Sequence, residues 1–455
     1  MKRTLIMTAP FSTKSGYGEH ARDIFYSLYD LDRFDIKLVD TPWGETPRNY
    51  LDSNNERHKL IIDRIVHDLR TITQQPDVYV DCRIPNEFET HGKFNIGITA
   101  GVETTAVSAN WIENCNKMDL TIVPSEHSKQ GFLNSKYDKM QDLPNGQKQK
   151  IGELTLEKPM EVLFEGADTD TFKFLKHDEL KTELSQSLDK IKEDFCFLFV
   201  GMWTQGGIGE DRKNIYNLIK YFLETFSNQK KQPALILKTS GAGHSLLDRE
   251  TIKEKIQEIK SMFPNYVDIP NIYLLHGHLD GEEMNELYNH PKVKTFVSLT
   301  HGEGFGRPLL EATMTGLPVM ASNWSGQCDF LNTRNCLLLG GEMVNVPQSM
   351  HWKDIIIPES KWFEVNPQEV YSAFKFAVKN KYDIRQSAKK LMELNRKKFS
   401  HNRMTNKLGD MLDKYLQDLP QNVQVKLPEL KKSKTKVKLP SLKKIKKESV
   451  QQEGV

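Results

Sequence analysis

Residues 294–322 read KTFVSLTHGEGFGRPLLEATMTGLPVMAS. KTFVSLT is a short run of apolar and β-branched residues, as expected of a buried strand. HGEGFGR is a glycine-rich loop. Pro308 stands where a helix would start and Gly316 where it would stop, the usual proline-in, glycine-out asymmetry. Pro318 follows, and PVMAS reads as the next buried strand. The unit carries two carboxylates, Glu303 in the loop and Glu311 in the helix, with seven residues between them. In open α/β sheets, ligands bind beyond the carboxyl ends of the strands. A helix N-terminus there offers free N–H groups and the positive end of a dipole to a phosphate. Ionised carboxylates beside it accept hydrogen bonds from the hydroxyls of a sugar or ribose. Together these point to the chemistry of a sugar nucleotide.

The same style of unit repeats along the chain. RTLIMTAP, DIKLVD, DVYVDC, FNIGITA and LTIVPS predict strands in the first half. FCFLFVG, ALILKTSG, IYLLHG and the two runs above do so in the second. Amphipathic helices separate them; Ile252, Ile256, Ile259 and Phe263 recur at helical spacing. Strands alternating with helices predict an α/β protein with parallel sheets covered on both faces. A chain of 455 residues exceeds one typical core. The expectation is two Rossmann-like domains, 1–165 and 166–395, joined near EGADTDTFKF and facing a central cleft. A last helix over 396–419 follows, with Met404, Leu408, Met411 and Tyr415 at helical spacing.

Composition excludes several classes. The chain is 38% hydrophobic and 27% charged, ordinary for a globular protein. No run approaches the roughly 18 apolar residues that span a bilayer, and the opening MKRTLIMTAPFST reads as a first strand rather than a signal peptide. Five cysteines without a CxxC pair argue against a disulfide framework or a zinc site. A cytoplasmic protein with reduced thiols is expected. The net charge of +2 hides a basic tail: residues 421–455 hold ten lysines against three glutamates. Within it VKLPELKKSK, from Val425, returns as VKLPSLKKIK, from Val437. Such a segment, taken as 420–455, lacks the apolar content to fold alone. It reads as a disordered solubilising tail or as a tether to nucleic acid or an anionic membrane.

The combination resembles the GT-B-fold retaining glycosyltransferases of family 4 (glycosyl transferases group 1), from about residue 1 to 416. The resemblance rests chiefly on HGEGFGRPLLEATMTGLPV. It implies that Glu303 contacts the donor sugar, that the main chain of Gly304, Phe305 and Gly306 holds the diphosphate, and that Glu311 binds the ribose. SGYGEHAR, residues 15–22, follows the first strand, so Gly16 and Gly18 let backbone approach the donor phosphates closely. In GMWTQGGIGEDRKNIYNLIKYF, Arg212 and Lys213 are the candidates for neutralising the diphosphate and stabilising its charge as it departs. Many relatives carry the arginine nearer the strand end, where this chain has Met202 and Trp203, and TQGGIGED looks like a loop insertion. Lys238, at the end of another strand, either adds charge to the same site or lies on the surface. Glu303, Lys213 and Arg212 are thus the catalytic candidates.

Acceptor-facing candidates are Glu103, Thr104 and His127, in GITAGVETTAVSANW and IVPSEHSKQGF, which resemble the family's acceptor loops. Glu103 would act as a base or bind a hydroxyl. His20 either faces the acceptor or packs within its helix. The Asp-x-Asp of ADTDTF reads as a turn capped by Asp168, and no metal or other cofactor is expected, since cationic side chains and helix ends replace the metal in GT-B enzymes. The implied activity is transfer of a sugar from a nucleotide sugar to a hydroxyl of a glycan or lipid-linked glycan, with retention. Alternatives are transfer to hydroxylated DNA bases, or a non-catalytic sugar-nucleotide-binding protein.

Overall fold

The computed structural model describes residues 2–419 apart from 145–146, 204–205, 207–208 and 242–244. The Lys-rich tail and part of TQGGIGED lie outside the described residues. The chain begins β1 (Arg3–Ala9), α1 (Gly16–Asp30), β2 (Phe34–Asp40), α2 (Glu56–Ile62), β3 (Val78–Cys82), β4 (Phe94–Ile98), α3 (Ala109–Cys115) and β5 (Leu120–Val123). It continues through α4 (Glu126–Asn134), the antiparallel hairpin β6 (Tyr137–Asp142) and β7 (Lys148–Leu154), and β8 (Met160–Val162). Six of these strands form one parallel sheet in the order β2-β1-β3-β4-β5-β8.

The second sheet repeats the plan. Its elements are α5 (Glu183–Leu188), β9 (Cys196–Val200), α6 (Ile215–Phe226), β10 (Ala234–Lys238), α7 (Leu246–Ser261), β11 (Ile272–Leu275) and α8 (Gly281–Asn289). Then come β12 (Val293–Ser298), α9 (Arg307–Met314), β13 (Val319–Ser322) and β14 (Leu337–Leu339). The order is β11-β10-β9-β12-β13-β14, all parallel. A hairpin of β15 (Gly341–Asn345) and β16 (Lys361–Val365) precedes α10 (Pro367–Lys379), α11 (Lys381–Lys398) and α12 (His401–Leu416). Each run expected to be a strand is one. The three-residue strands β8 and β14 and the two hairpins carry too little apolar periodicity to have been read.

Burial explains why the strand runs are continuous rather than alternating. Cys196 to Phe199 in β9 and Ala234 to Leu237 in β10 are fully buried, so both faces of the sheet are covered. Phe197 meets Phe374 of α10 edge-on, at 4.9 Å between ring centroids, with Phe222 and Phe226 of α6 alongside. The polar chemistry is therefore displaced to the carboxyl ends of the strands.

The two sheets are tied where the chain passes between them. Ala167 N donates to Phe399 O at 2.9 Å, and His401 N donates to Ala167 O at 2.8 Å. From that crossing α12 lies along α1, where Thr405 Oγ1 donates to Ser27 Oγ (2.9 Å) and Arg33 reaches Asp413 (2.6 Å). Gly166 has no room for a side chain: a Cβ would stand 2.6 Å from His401 Cα and 2.9 Å from its nitrogen. Gly166→Ala should therefore push the crossing segments apart and cost about 1–3 kcal/mol. The expected outcome is a lower denaturant midpoint at unchanged slope; an unaltered midpoint would show that the crossing yields freely.

Candidate functional site

Strand order in the second sheet reverses between β9 and β12, the kind of switch point outside which open α/β sheets bind their ligands. The loop after β9 delivers Arg212 and Lys213; the loop after β12 delivers Gly302 to Gly306. Asp211, buried, accepts from Ile215 N (3.0 Å) and Tyr216 N (3.4 Å) and so caps α6. Asn214 closes that turn in the left-handed region, at φ 57°. The two loops are stitched together, His301 N donating to Arg212 O at 2.9 Å. His301 is itself stacked on Trp362, with ring centroids 4.2 Å apart.

Glu303 stands between the two cations. Its Oε1 lies 2.5 Å from Lys213 Nζ, and its Oε2 lies 3.5 Å from Arg212 Nη1. Burial would raise this carboxyl, but the charges of Lys213 and Arg212 outweigh it and hold the pKa below the ordinary value. Burial lowers the Lys213 ammonium, with Glu303 opposing. Arg212 also reaches Glu103, in the loop after β4, at 3.5 Å. One chain of ion pairs thus joins Lys213, Glu303, Arg212 and Glu103 across the two sheets. The glycines of the loop make this approach possible. A Cβ on Gly302 would stand 2.0 Å from Glu103 O, and one on Gly304 would stand 2.1 Å from Ala100 O. Gly304 O accepts from Ser125 Oγ at 2.5 Å. Phe305 is buried beside Phe330. Gly306, at φ +97°, turns the chain into α9, and Gly316, at φ +73°, ends it.

Glu311, one turn into α9, belongs to a second cluster. Its Oε1 accepts from Arg307 Nε at 3.0 Å, and Tyr288 OH stands 3.5 Å from its Oε2. Arg307 also pairs with Asp23 (2.5 Å) and Glu19 (3.5 Å) of α1, and with Glu165 at 3.9 Å. Burial pushes Glu311 up to about 8 and Glu165 up to about 7, against the pull of Arg307.

The remaining candidates fall around these clusters. Gly16 opens α1 in open space, where a Cβ would meet nothing within 4 Å, whereas Gly18 is pressed against Thr13 O, which a Cβ would meet at 2.5 Å. Lys238, at the end of β10, donates to Gly277 O at 2.7 Å. His20 is buried beside Asp23 and Arg307, its Nδ1 without a hydrogen-bond partner, and burial lowers it to about 4. Thr104 is buried and donates to Ala106 O. His127 meets Trp324 edge-on at 4.5 Å and is lowered by burial to about 4. Asp168 accepts from Asp170 N and Thr171 Oγ1, a capped turn. Among the described residues no group of three His, Cys, Asp or Glu side chains is placed to hold a metal ion, and no helix is long and apolar enough to cross a membrane. Sequence reasoning missed Arg307, Asp23, Glu165 and Tyr288. The one local signal was the Arg307–Glu311 spacing of four, which places the pair on one helix face.

The raised carboxyls set a pH dependence. Between its ordinary value and about 7, Glu165 holds a proton in the folded chain that it has lost in the unfolded one. Stability therefore falls as pH rises through that window. Glu165→Gln removes this contribution, so its melting temperature should gain on the native protein between pH 5 and pH 7 and stay level above. A difference independent of pH would mean that Glu165 is ionised in the fold.

Residues 181–354 match the profile of the family described as Glycosyl transferases group 1. No curated protein sequence matches the chain. Among solved structures, the chain is similar to HepE of Anabaena in complex with UDP and glucose, at 12% identity, over 90% of this chain and 100% of that one, with a TM-score of 0.57. Sucrose-phosphate synthase from Thermosynechococcus elongatus matches at 12% identity over 91% and 100% of the two chains, with a TM-score of 0.59. The E. coli trehalose-6-phosphate protein bound with UDP-2-fluoro glucose matches at 12% over 90% and 98%, with a TM-score of 0.55. The family match runs from just before α5 into the second half of the β15–β16 connection, the stretch that carries Arg212, Lys213, Glu303 and Glu311. Residues 181–354 thus carry the match to the glycosyl transferases group 1, and the chain as a whole shares with these structures a GT-B-like fold of two parallel six-stranded sheets.

Proposed function

We propose that the chain transfers the sugar of a uridine diphosphate sugar to a hydroxyl of a glycan or lipid-linked glycan. The observation that carries this reading is a buried carboxylate, Glu303, held ionised between Lys213 and Arg212 at the approach to the N-terminus of α9. The uridine base is suggested by the UDP and UDP-sugar named for HepE and the trehalose-6-phosphate protein. In this reading the N–H groups of Gly304 to Gly306 and the start of α9 receive the diphosphate, with Gly16 and Gly18 opposite. Lys213 and Arg212, with Lys238 further along the sheet edge, neutralise it. Glu303 accepts from the sugar hydroxyls and Glu311 from the ribose.

Retention follows from attack on the face that the diphosphate leaves, its departing oxygen taking the proton of the acceptor hydroxyl. Charge then builds on an oxygen already facing two fixed cations, which need little reorganisation. The acceptor enters from the side of the first sheet. Glu103, with a third of its side chain exposed, is the acidic group there that an acceptor hydroxyl can reach. Thr104 and His127 shape that wall, while His20 packs beside Asp23 and Arg307. The chain works in the cytoplasm, and the lysines beyond residue 420 hold it near an anionic surface, nucleic acid or membrane.

The test is a thermal-shift series with nucleotide sugars, using UDP, GDP and ADP as controls. Uridine compounds are expected to raise the melting temperature; a shift with guanosine or adenosine compounds alone would overturn the base assignment. With the active sugar, Glu303→Ala should lower turnover about a hundredfold or more. Lys213→Ala should raise the donor KM and lower turnover together. Near-native rates in both variants would sink the assignment of these roles.

A further inference from the structure

We propose that Arg307 is the positioning residue for ribose recognition, holding Glu311 by one oxygen and tying it to the helix that faces the diphosphate. This rests on the donor reading above. Arg307 is the first residue of α9, where the helix dipole disfavours a cation and Gly306 supplies no side-chain cap. The one local reward is Glu311, one turn along the same helix. The other partners lie elsewhere: Asp23 and Glu19 on α1 and Glu165 beyond β8.

The geometry divides the labour between the two oxygens of Glu311. Oε1 is taken by Arg307 Nε at 3.0 Å, whereas among the described residues Oε2 has only the Tyr288 hydroxyl, at 3.5 Å. Oε2 therefore keeps lone pairs for ribose hydroxyls while Oε1 fixes the side chain. A buried carboxyl without its cation takes up a proton and becomes a donor as well as an acceptor. The same guanidinium binds Asp23 at 2.5 Å, two turns into α1, whose first turn holds Gly16 and Gly18. The ribose carboxylate and the diphosphate-facing turn are thereby held in one register, through a residue that touches neither ribose nor diphosphate.

The test is calorimetric binding of UDP and of 2′,3′-dideoxy-UDP at about pH 9, above the value of about 8 to which burial pushes Glu311, so that the native carboxyl is ionised. The native protein is expected to prefer UDP by about tenfold or more, the worth of hydrogen bonds to a charged group. Arg307→Leu should bring that preference close to parity, and Arg307→Lys, which keeps the charge but cannot span Glu311 and Asp23 together, should reduce it in part. If Arg307 acted only as a cation attracting phosphate, both ligands would weaken equally and the native preference would survive; that result overturns the proposal. Circular dichroism and a cooperative melt confirm the fold of each variant. Where Arg307→Leu does not fold, Arg307→Lys decides, and an undiminished preference in it is equally fatal. A native protein that binds neither ligand overturns the uridine donor reading together with this inference, whereas UDP binding with the preference intact in the variants leaves the donor reading standing.

Discussion

Glu303 is a carboxylate removed from water, and it stays ionised because two cations from another strand's loop stand against it. Burying such a group alone would be prohibitive; burying it with partners is tolerable only when their geometry is fixed. That requirement reaches far into the structure. The cap of Asp211 on α6, the left-handed turn at Asn214, the bond from His301 N to Arg212 O and the Trp362 stack all fix where Lys213 and Arg212 stand relative to β12. Ionic networks of this kind are poor sources of stability but good markers of a site. The adjacent strands β9 and β12 supply the two halves of the network because the strand order reverses between them.

Much of this was legible in the sequence, for identifiable reasons. Parallel strands buried on both faces must be written as unbroken apolar runs, so β1 to β5 and β9 to β13 announced themselves. Pro308 and Gly316 marked α9 because each is shaped for one end of a helix, and Gly316 does take a positive φ. Glu303, Arg212 and Lys213 were found as charged residues next to such runs, and the fold brings them together across 90 residues of chain. Glu311 was found but not its surroundings. Arg307, though it lies inside the stretch quoted first, meets Asp23 across 284 residues, and no local pattern encodes that distance.

The glycines show what a sequence leaves open. HGEGFGR reads as a glycine-rich loop, and the resemblance gives the main chain of Gly304 to the diphosphate but assigns no neighbour to Gly302 or Gly304. The space is taken on one side by Glu103 O and Ala100 O, so these glycines also let the loop of one sheet lie against that of the other. A periodicity argument sees a missing Cβ and cannot say which neighbour requires it. The same limit applies to His20, whose position in an amphipathic helix was compatible with either wall or core. Its neighbours Asp23 and Arg307 decide its burial, and they come from two different sheets' helices.

Both clusters span the two sheets, and they do so by different means. Arg212 touches Glu103 at 3.5 Å through a partly exposed carboxylate, a contact weakened by water and easily exchanged. Arg307 meets Asp23 at 2.5 Å with both side chains largely enclosed, and loss of either partner would strand a buried charge. The first ion pair is therefore the more easily broken of the two, but it does not stand alone: the Ser125 Oγ–Gly304 O bond and the close approach of Gly302 to Glu103 O hold the same loops together. Parting the two halves at either cluster would give up buried contacts as well as an ion pair.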